Sequence, residues 1–185
     1  IDRLTGLPIS GISWTTPADD VPIALALIDG QVIAVGTSSG GFIDTFLRAA
    51  SGEDVILAGL HLASGVWATR NVVAAGAQRG AAIAADPAGD AFAIAGSFSS
   101  PSFDARLSAA ADACTASQIG GTDVFTAFYA WSPADSDYDC ITNWQLGSAA
   151  TDAAQGLAYL GPGVARLAAR FDAASGAGVA RGKRP

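Results

Sequence analysis

The sequence of 185 residues contains no methionine and only one histidine, and lysine is almost absent. A primary translation product starts with methionine, so we expect a processed or excised piece. Removal of a secretory signal, proteolysis, or representation of only part of a longer chain would each explain the start. Ten basic residues against seventeen acidic ones give a net charge of −7. Nucleic acids require clustered cations, so no nucleic-acid partner is expected.

Long apolar runs are also missing, since Gly, Asp or Arg interrupts every stretch before 18 residues, and no membrane-spanning helix is expected. A hydrophobic fraction of 50% is enough for one domain with a real core. Cysteine is limited to Cys114 and Cys140, with no C-x-x-C motif or nearby histidine. We favour a structural disulfide formed in an oxidising, extracytoplasmic compartment; the alternative is two unrelated buried thiols.

The sequence repeats itself. A G-x-D-V turn at residues 52–55 opens an alternating apolar run, and the same turn returns at residues 121–124. Hairpins with Asp-Gly or Gly-rich turns recur around residues 29–30, 86–90 and 161–163. We predict strands near residues 23–28, 31–36, 55–62, 66–74, 81–85, 91–97, 124–131 and 141–146. The third hairpin would pair residues 157–160 with 164–168. Residues 103–116 and 43–50 are ambiguous and would suit short helices on loops.

Four antiparallel strands per unit, repeated with Gly-rich turns, are typical of a β-propeller blade. Residues 85–98 follow the pattern A-D-x-x-G to A-G-x-F, residues 120–127 follow G-G-x-D-x-F-x-A, and Trp144 lies in the next run. On these motifs the chain resembles bacterial cell-surface β-propeller repeat proteins. The resemblance implies an all-β, partial propeller of about two and a half four-stranded antiparallel blades.

We assign all 185 residues to one segment, with units at about 12–74, 80–146 and 156–172, the last partial, and a flexible tail at 173–185. Closed propellers typically have 4–8 blades. The chain is therefore expected to be a fragment of a longer protein, or a unit of which two or three copies complete a ring. An open arrangement of a few sheets is the remaining alternative.

Residues 36–40 fit G-x-S-x-G, the nucleophile elbow of hydrolases, and Asp44 or Asp54 precedes the only histidine, His61. The whole triad would fall within 24 residues, and the equivalent place in the next unit reads as an ordinary turn. We therefore predict blade-end turn serines and no catalytic residues. His61 has no partners at metal-ligand spacing, and we interpret it as a packed or rim histidine.

Asp135, Asp137 and Asp139 alternate along the chain and are the one acidic cluster with coordination spacing. Their oxygens are of the kind that binds Ca²⁺, but the glycine and the later glutamate of an EF-hand loop are missing. We predict a solvated hairpin loop that holds no Ca²⁺ tightly, and we expect no metal and no other cofactor.

Trp14, Trp67 and Trp144 fall on the same strand of successive units, so we predict that they pack in the core. Trp131 follows a different run, beside Tyr129 and with Tyr138 near. We predict that Trp131 is exposed and that these three aromatic residues are the possible ligand contacts: Trp131, Tyr129 and Tyr138.

The expected function is non-catalytic: a structural or binding module, secreted, periplasmic or on the cell surface. Its partners would be other blades, from the same precursor or from other subunits of an assembly. The alternative is a carbohydrate-binding lectin with sites between blades, and a propeller hydrolase comes third. Because a fold alone does not supply a function, the assignment depends on the sites.

Overall fold

The computed structural model describes residues 19–39, 52–72, 76–107, 113–133, 137–161, 164–172 and 179–182. These residues form thirteen strands and no helix, which confirms the all-β prediction. The strands are β1 (Asp20–Ile28), β2 (Gln31–Ser38), β3 (Asp54–His61), β4 (Trp67–Val72), β5 (Gln78–Ala85), β6 (Ala91–Phe98), β7 (Ser102–Asp104), β8 (Thr115–Ser117), β9 (Asp123–Ser132), β10 (Asp137–Gly147), β11 (Asp152–Gly161), β12 (Val164–Phe171) and β13 (Val179–Gly182). Each of the eight strands predicted between residues 23 and 146 overlaps one of these thirteen strands.

The strands form three main antiparallel sheets that follow chain order closely. Sheet 1 has the order β1-β2-β3-β4, sheet 2 the order β5-β6-β9-β10-β13, and sheet 3 consists of β11 and β12. The short β7–β8 hairpin is inserted between β6 and β9 of sheet 2. Short connections join β1 to β2, β3 to β4, β5 to β6, β9 to β10 and β11 to β12 as hairpins, whereas longer segments connect β2 to β3 and β6 to β9.

The central strand of sheet 2, β9, is covered on both faces. Phe125 and Tyr129 of β9 belong to a core cluster shared with Val35 and Leu57 of sheet 1. On the opposite face, Phe128 lies 6.2 Å from Tyr159 of sheet 3, measured between ring centroids. As a result β9 is buried over seven consecutive residues, where a strand with one face in water would alternate.

The first strands of the three sheets share an irregularity. The register shifts between Pro22 and Ala24 in β1, between Gly80 and Ala82 in β5, and between Ala154 and Gly156 in β11. In each case the extra residue of the bulge is the fourth of its strand. Strands β1 and β11 both contact β5. The bulge therefore gives a common register for comparing the sheets.

The insertion between β6 and β9 corrects one expectation. Residues 103–116 were ambiguous and would have suited a short helix on a loop, but their described parts contain most of β7 and the start of β8. The ring of Phe103 lies 5.2 Å from that of Phe98 and 4.4 Å from that of Phe125, so the segment is held extended against sheet 2. The predicted disulfide is present: Cys114, beside β8, bonds Cys140 of β10 across a Cα–Cα distance of 6.0 Å.

The chain end differs from expectation too. Part of the tail predicted to be flexible forms β13, in which Ala180 pairs with Leu146 and Gly182 with Trp144 of β10. An unpaired sheet edge presents a row of free backbone N–H and C=O groups, and β13 satisfies those of β10 at this end. The other ambiguous stretch, residues 43–50, lies outside the described residues.

Candidate functional site

A groove of about 330 Å³ opens between sheets 1 and 2. It lies beside the β3–β4 hairpin of sheet 1 and the β9–β10 hairpin of sheet 2. Its sheet 2 wall is a cross-strand pair: Trp131 of β9 lies directly opposite Tyr138 of β10, with the rings edge to face at 5.3 Å. Tyr138 also contacts Phe92 edge to face at 4.9 Å and is buried. Trp131, by contrast, leaves 41% of its surface in water. The buried ring of Tyr138 therefore supports an exposed indole.

The sheet 1 wall is built from three neighbouring strands. Gln31 of β2 pairs with His61 of β3, and Gly59 pairs with Ala68 of β4. The next turn supplies Ser64, whose backbone N–H donates to Nδ1 of His61 at 3.3 Å, while its Oγ lies 3.1 Å from the same nitrogen. The imidazole is thereby held at the rim. Because Gly59 has no side chain, nothing from β3 fills the groove at that position.

An ion pair joins the two walls. Arg70 of β4 donates from Nε at 3.0 Å and from Nη2 at 2.8 Å to Oδ2 of Asp137. The two side chains are only 14% and 11% exposed. Oδ1 of Asp137 accepts the backbone N–H of Tyr138 at 2.9 Å. The carboxylate charge is therefore neutralised by Arg70 within the lining of the groove.

Carboxylates lie near Tyr138, which is buried, and near Tyr159, which is partly buried. The pKa of Tyr138 is raised to about 12, first by burial and then by the negative charges of Asp29, Asp137 and Asp90. Tyr159 of sheet 3 behaves alike: burial first, then Asp86, raises its pKa to about 12. The surroundings of the groove are therefore acidic.

The structure separates the three predicted ligand contacts. Trp131 is exposed, as predicted, and Tyr138 lines the groove beneath it. Tyr129 is fully buried, and its hydroxyl donates to the carbonyl of Ala105 in the insertion at 2.6 Å. The prediction is wrong for Tyr129, because the inserted segment covers the face of β9 to which this side chain belongs.

The acidic cluster is not a solvated loop. Asp137 and Asp139 are residues of β10, Asp137 buried against Arg70 and Asp139 partly buried, while Asp135 lies outside the described residues. The loop interpretation fails because β10 begins at Asp137. No group of three histidine, cysteine or carboxylate side chains in the described part of the chain converges as a metal site would.

The serine motif does not assemble a triad. Ser38 is a buried residue of β2 that pairs with Asp54, whereas His61 pairs with Gln31 at the other end of the same two strands. Seven residues of extended chain separate the ends by about 23 Å, far beyond hydrogen-bonding reach. Asp44 lies outside the described residues. His61 is a rim histidine, one of the two roles predicted for it.

The aspartates of the repeated turns are structural. Asp54, Asp123 and Asp152 are each the first residue of a strand and are fully buried. Oδ2 of Asp123 accepts the N–H of Ile119 at 2.5 Å and that of the Gln145 amide at 2.9 Å. Hydrogen bonds of this kind satisfy backbone groups in the preceding turn and fix where the strand begins.

None of the three tryptophans predicted to pack in the core is confirmed there. Trp14 lies outside the described residues, and Trp67 begins β4. Trp144 is 37% exposed and lines a second, apolar groove of about 260 Å³ with Phe128 of β9 and Val164 of β12, so its assignment to the core is wrong. No local pattern distinguishes Gln31, Gly59 and Arg70 from ordinary strand residues, so the sequence does not predict their place in the groove.

Comparison with known proteins adds no family. No protein-family model matches the chain, and neither a curated protein nor a solved structure matches it significantly. Among the described residues there is no helix with the length and hydropathy needed to cross a membrane.

Proposed function

We propose that the chain is a segment of a β-propeller: a non-catalytic extracytoplasmic module that functions with further blades packed on its two outer sheets. The observation that carries the proposal is the pattern of burial at equivalent positions of the three sheets. The bulge sets the equivalence, since it occupies the fourth residue of β1, β5 and β11.

The residue two places after the bulge is large and apolar in each sheet: Leu25, Ile83 and Leu157. Ile83 is 9% exposed and belongs to the core that sheet 2 shares with sheet 1. Leu157 is partly buried on the side of sheet 3 that faces sheet 2. Leu25, in contrast, is 70% exposed. This position is therefore buried or partly buried in sheets 2 and 3, each of which follows another sheet, and exposed in sheet 1.

The rest of that face follows the same rule. Leu27 is 63% exposed, whereas the equivalent Ala85 packs against the core and the equivalent Tyr159 contacts Phe128. Burying one large aliphatic side chain stabilises by roughly 1.5–3 kcal/mol. Sheet 1 therefore presents a surface built like the faces that sheets 2 and 3 bury, and a preceding blade fits it.

The face of sheet 2 that packs against sheet 3 supports the same conclusion. Sheet 3 comprises two described strands, β11 and β12, so the outer strands of sheet 2 are only partly covered on that side. Trp144 of β10 is exposed there, above Val164 and Leu167. A third and a fourth strand added to sheet 3 would cover this surface. The disulfide between Cys114 and Cys140 favours an oxidising compartment.

Sedimentation velocity at micromolar concentration tests the proposal. We expect the chain to self-associate, because Leu25 and Leu27 of sheet 1 and Trp144 of sheet 2 expose apolar side chains on its outer faces. Changing Leu25→Glu and Leu27→Glu together should shift the population towards monomer. Leu62→Glu is the control, since Leu62 is also well exposed, at 54%, but lies in the β3–β4 turn. A monodisperse monomer of the unmodified chain would contradict the proposal.

A further inference from the structure

We propose that the groove between sheets 1 and 2 binds a neutral oligosaccharide, with the indole of Trp131 as the stacking surface and Gln31, His61 and Ser64 as hydrogen-bonding groups. This inference does not depend on how the outer sheets are covered, because both walls of the groove belong to the described chain.

The exposure of Trp131 points to a ligand. The other side chains on its face of β9, Phe125, Ala127 and Tyr129, are 0% exposed. Trp131 continues the same alternation but is 41% exposed and lines the groove, to which Gly59 of the other wall contributes no side chain. Its ring is held by Tyr138 at 5.3 Å, and its backbone N–H donates to the carbonyl of Asp90 at 2.9 Å. A fixed, exposed aromatic surface of this kind stacks on the apolar face of a sugar ring.

The polar groups of the groove match a neutral polyol. Gln31 supplies an amide, His61 an imidazole and Ser64 a hydroxyl, so that the groove offers both donors and acceptors. The buried carboxylate of Asp137 is neutralised by Arg70 at 2.8 Å. Hydroxyl groups of a sugar can therefore be recognised without a charge on the ligand.

The charges around the groove and its volume limit the kinds of sugar that can bind. The acidic turns near the groove, with Asp29 and Asp90 close to Tyr138, disfavour sulfated, phosphorylated or uronic acid sugars. The volume of about 330 Å³ is at the lower end of ligand sites, which typically measure about 300–1,000 Å³. A groove of this size, open to solvent, holds one or two rings of a longer neutral chain.

Titration calorimetry with cellotetraose, chitotetraose and mannotetraose tests the inference, with tetragalacturonate as the charged comparison and choline as a cationic one. We expect the chain to bind at least one neutral tetrasaccharide. Trp131→Ala should weaken that binding at least about tenfold, the effect typical of losing a central aromatic contact. Trp144→Ala removes an equally exposed tryptophan outside this groove and should leave the affinity unchanged.

A groove-filling variant guards against loss of folding. A Cβ at Gly59 would meet nothing closer than 3.8 Å, so the backbone accommodates the Cβ of Gly59→Val, and we expect its two methyl groups to occupy the groove. It should abolish binding while leaving the urea unfolding midpoint unchanged or raised, since valine favours strands. Absence of binding to all three neutral tetrasaccharides, preference for tetragalacturonate or choline, or full affinity in Trp131→Ala or Gly59→Val would each overturn the inference.

Discussion

The ion pair between Arg70 and Asp137 should be a principal tie between sheets 1 and 2. It joins strands from different sheets, 67 residues apart in sequence, and both side chains are nearly buried. Arg70→Ala would leave the carboxylate buried without its partner, and breaking such a pair costs about 3–5 kcal/mol. With a urea dependence of roughly 2 kcal/mol per M, the unfolding midpoint should fall by about 1.5–2.5 M.

Two further variants isolate the cause. Arg170→Ala removes an ion pair to Asp172 that is 61% and 45% exposed, and it should cost less than about 1 kcal/mol. The double variant Arg70→Met with Asp137→Leu replaces the buried charges by apolar groups and should regain most of the loss. Urea unfolding followed by tryptophan fluorescence and circular dichroism measures all three. If Arg70→Ala costs no more than Arg170→Ala, the pair does not hold the sheets together.

Three other predictions follow from the same structure. Reducing the disulfide, which closes a loop with a sequence separation of 26, should lower the free energy of unfolding by about 3 kcal/mol, and alkylation without reductant should leave the intact mass unchanged. Tyr138 and Tyr159 should ionise near pH 12 in an ultraviolet titration. Because the folded state keeps these protons, their contribution to the free energy of unfolding is complete below about pH 10 and is lost as the pH rises towards 12. Ionisation of all tyrosines near pH 10 would contradict this prediction. Gly96→Ala should destabilise the fold by about 1–3 kcal/mol, because its Cβ would lie 2.2 Å from the carbonyl oxygen of Arg79. Gly59→Ala should cost little, since its Cβ would meet nothing closer than 3.8 Å. Equal urea unfolding midpoints for the two variants would contradict the close approach at Gly96.

Local features of the chain were readable from the sequence because their causes are local. Alternating apolar residues and Asp-Gly or Gly-rich turns predicted β1 to β6, β9 and β10, since strand periodicity and turn geometry depend on residues a few positions apart. The exposure of Trp131 was also predicted, from its position beside the loop after β9. The two cysteines likewise indicated their bond.

Tertiary packing decided what the sequence could not. The Ala-rich composition of the insertion would suit a helix, but its described ends form β7 and β8, and Phe103 of β7 packs against Phe98 and Phe125. The groove depends on Arg70 and Asp137, which come together only when sheet 1 packs on sheet 2. Periodicity shows which residues share a face, whereas the partner of that face is set by contacts between distant parts of the chain, and these leave no local pattern in the sequence.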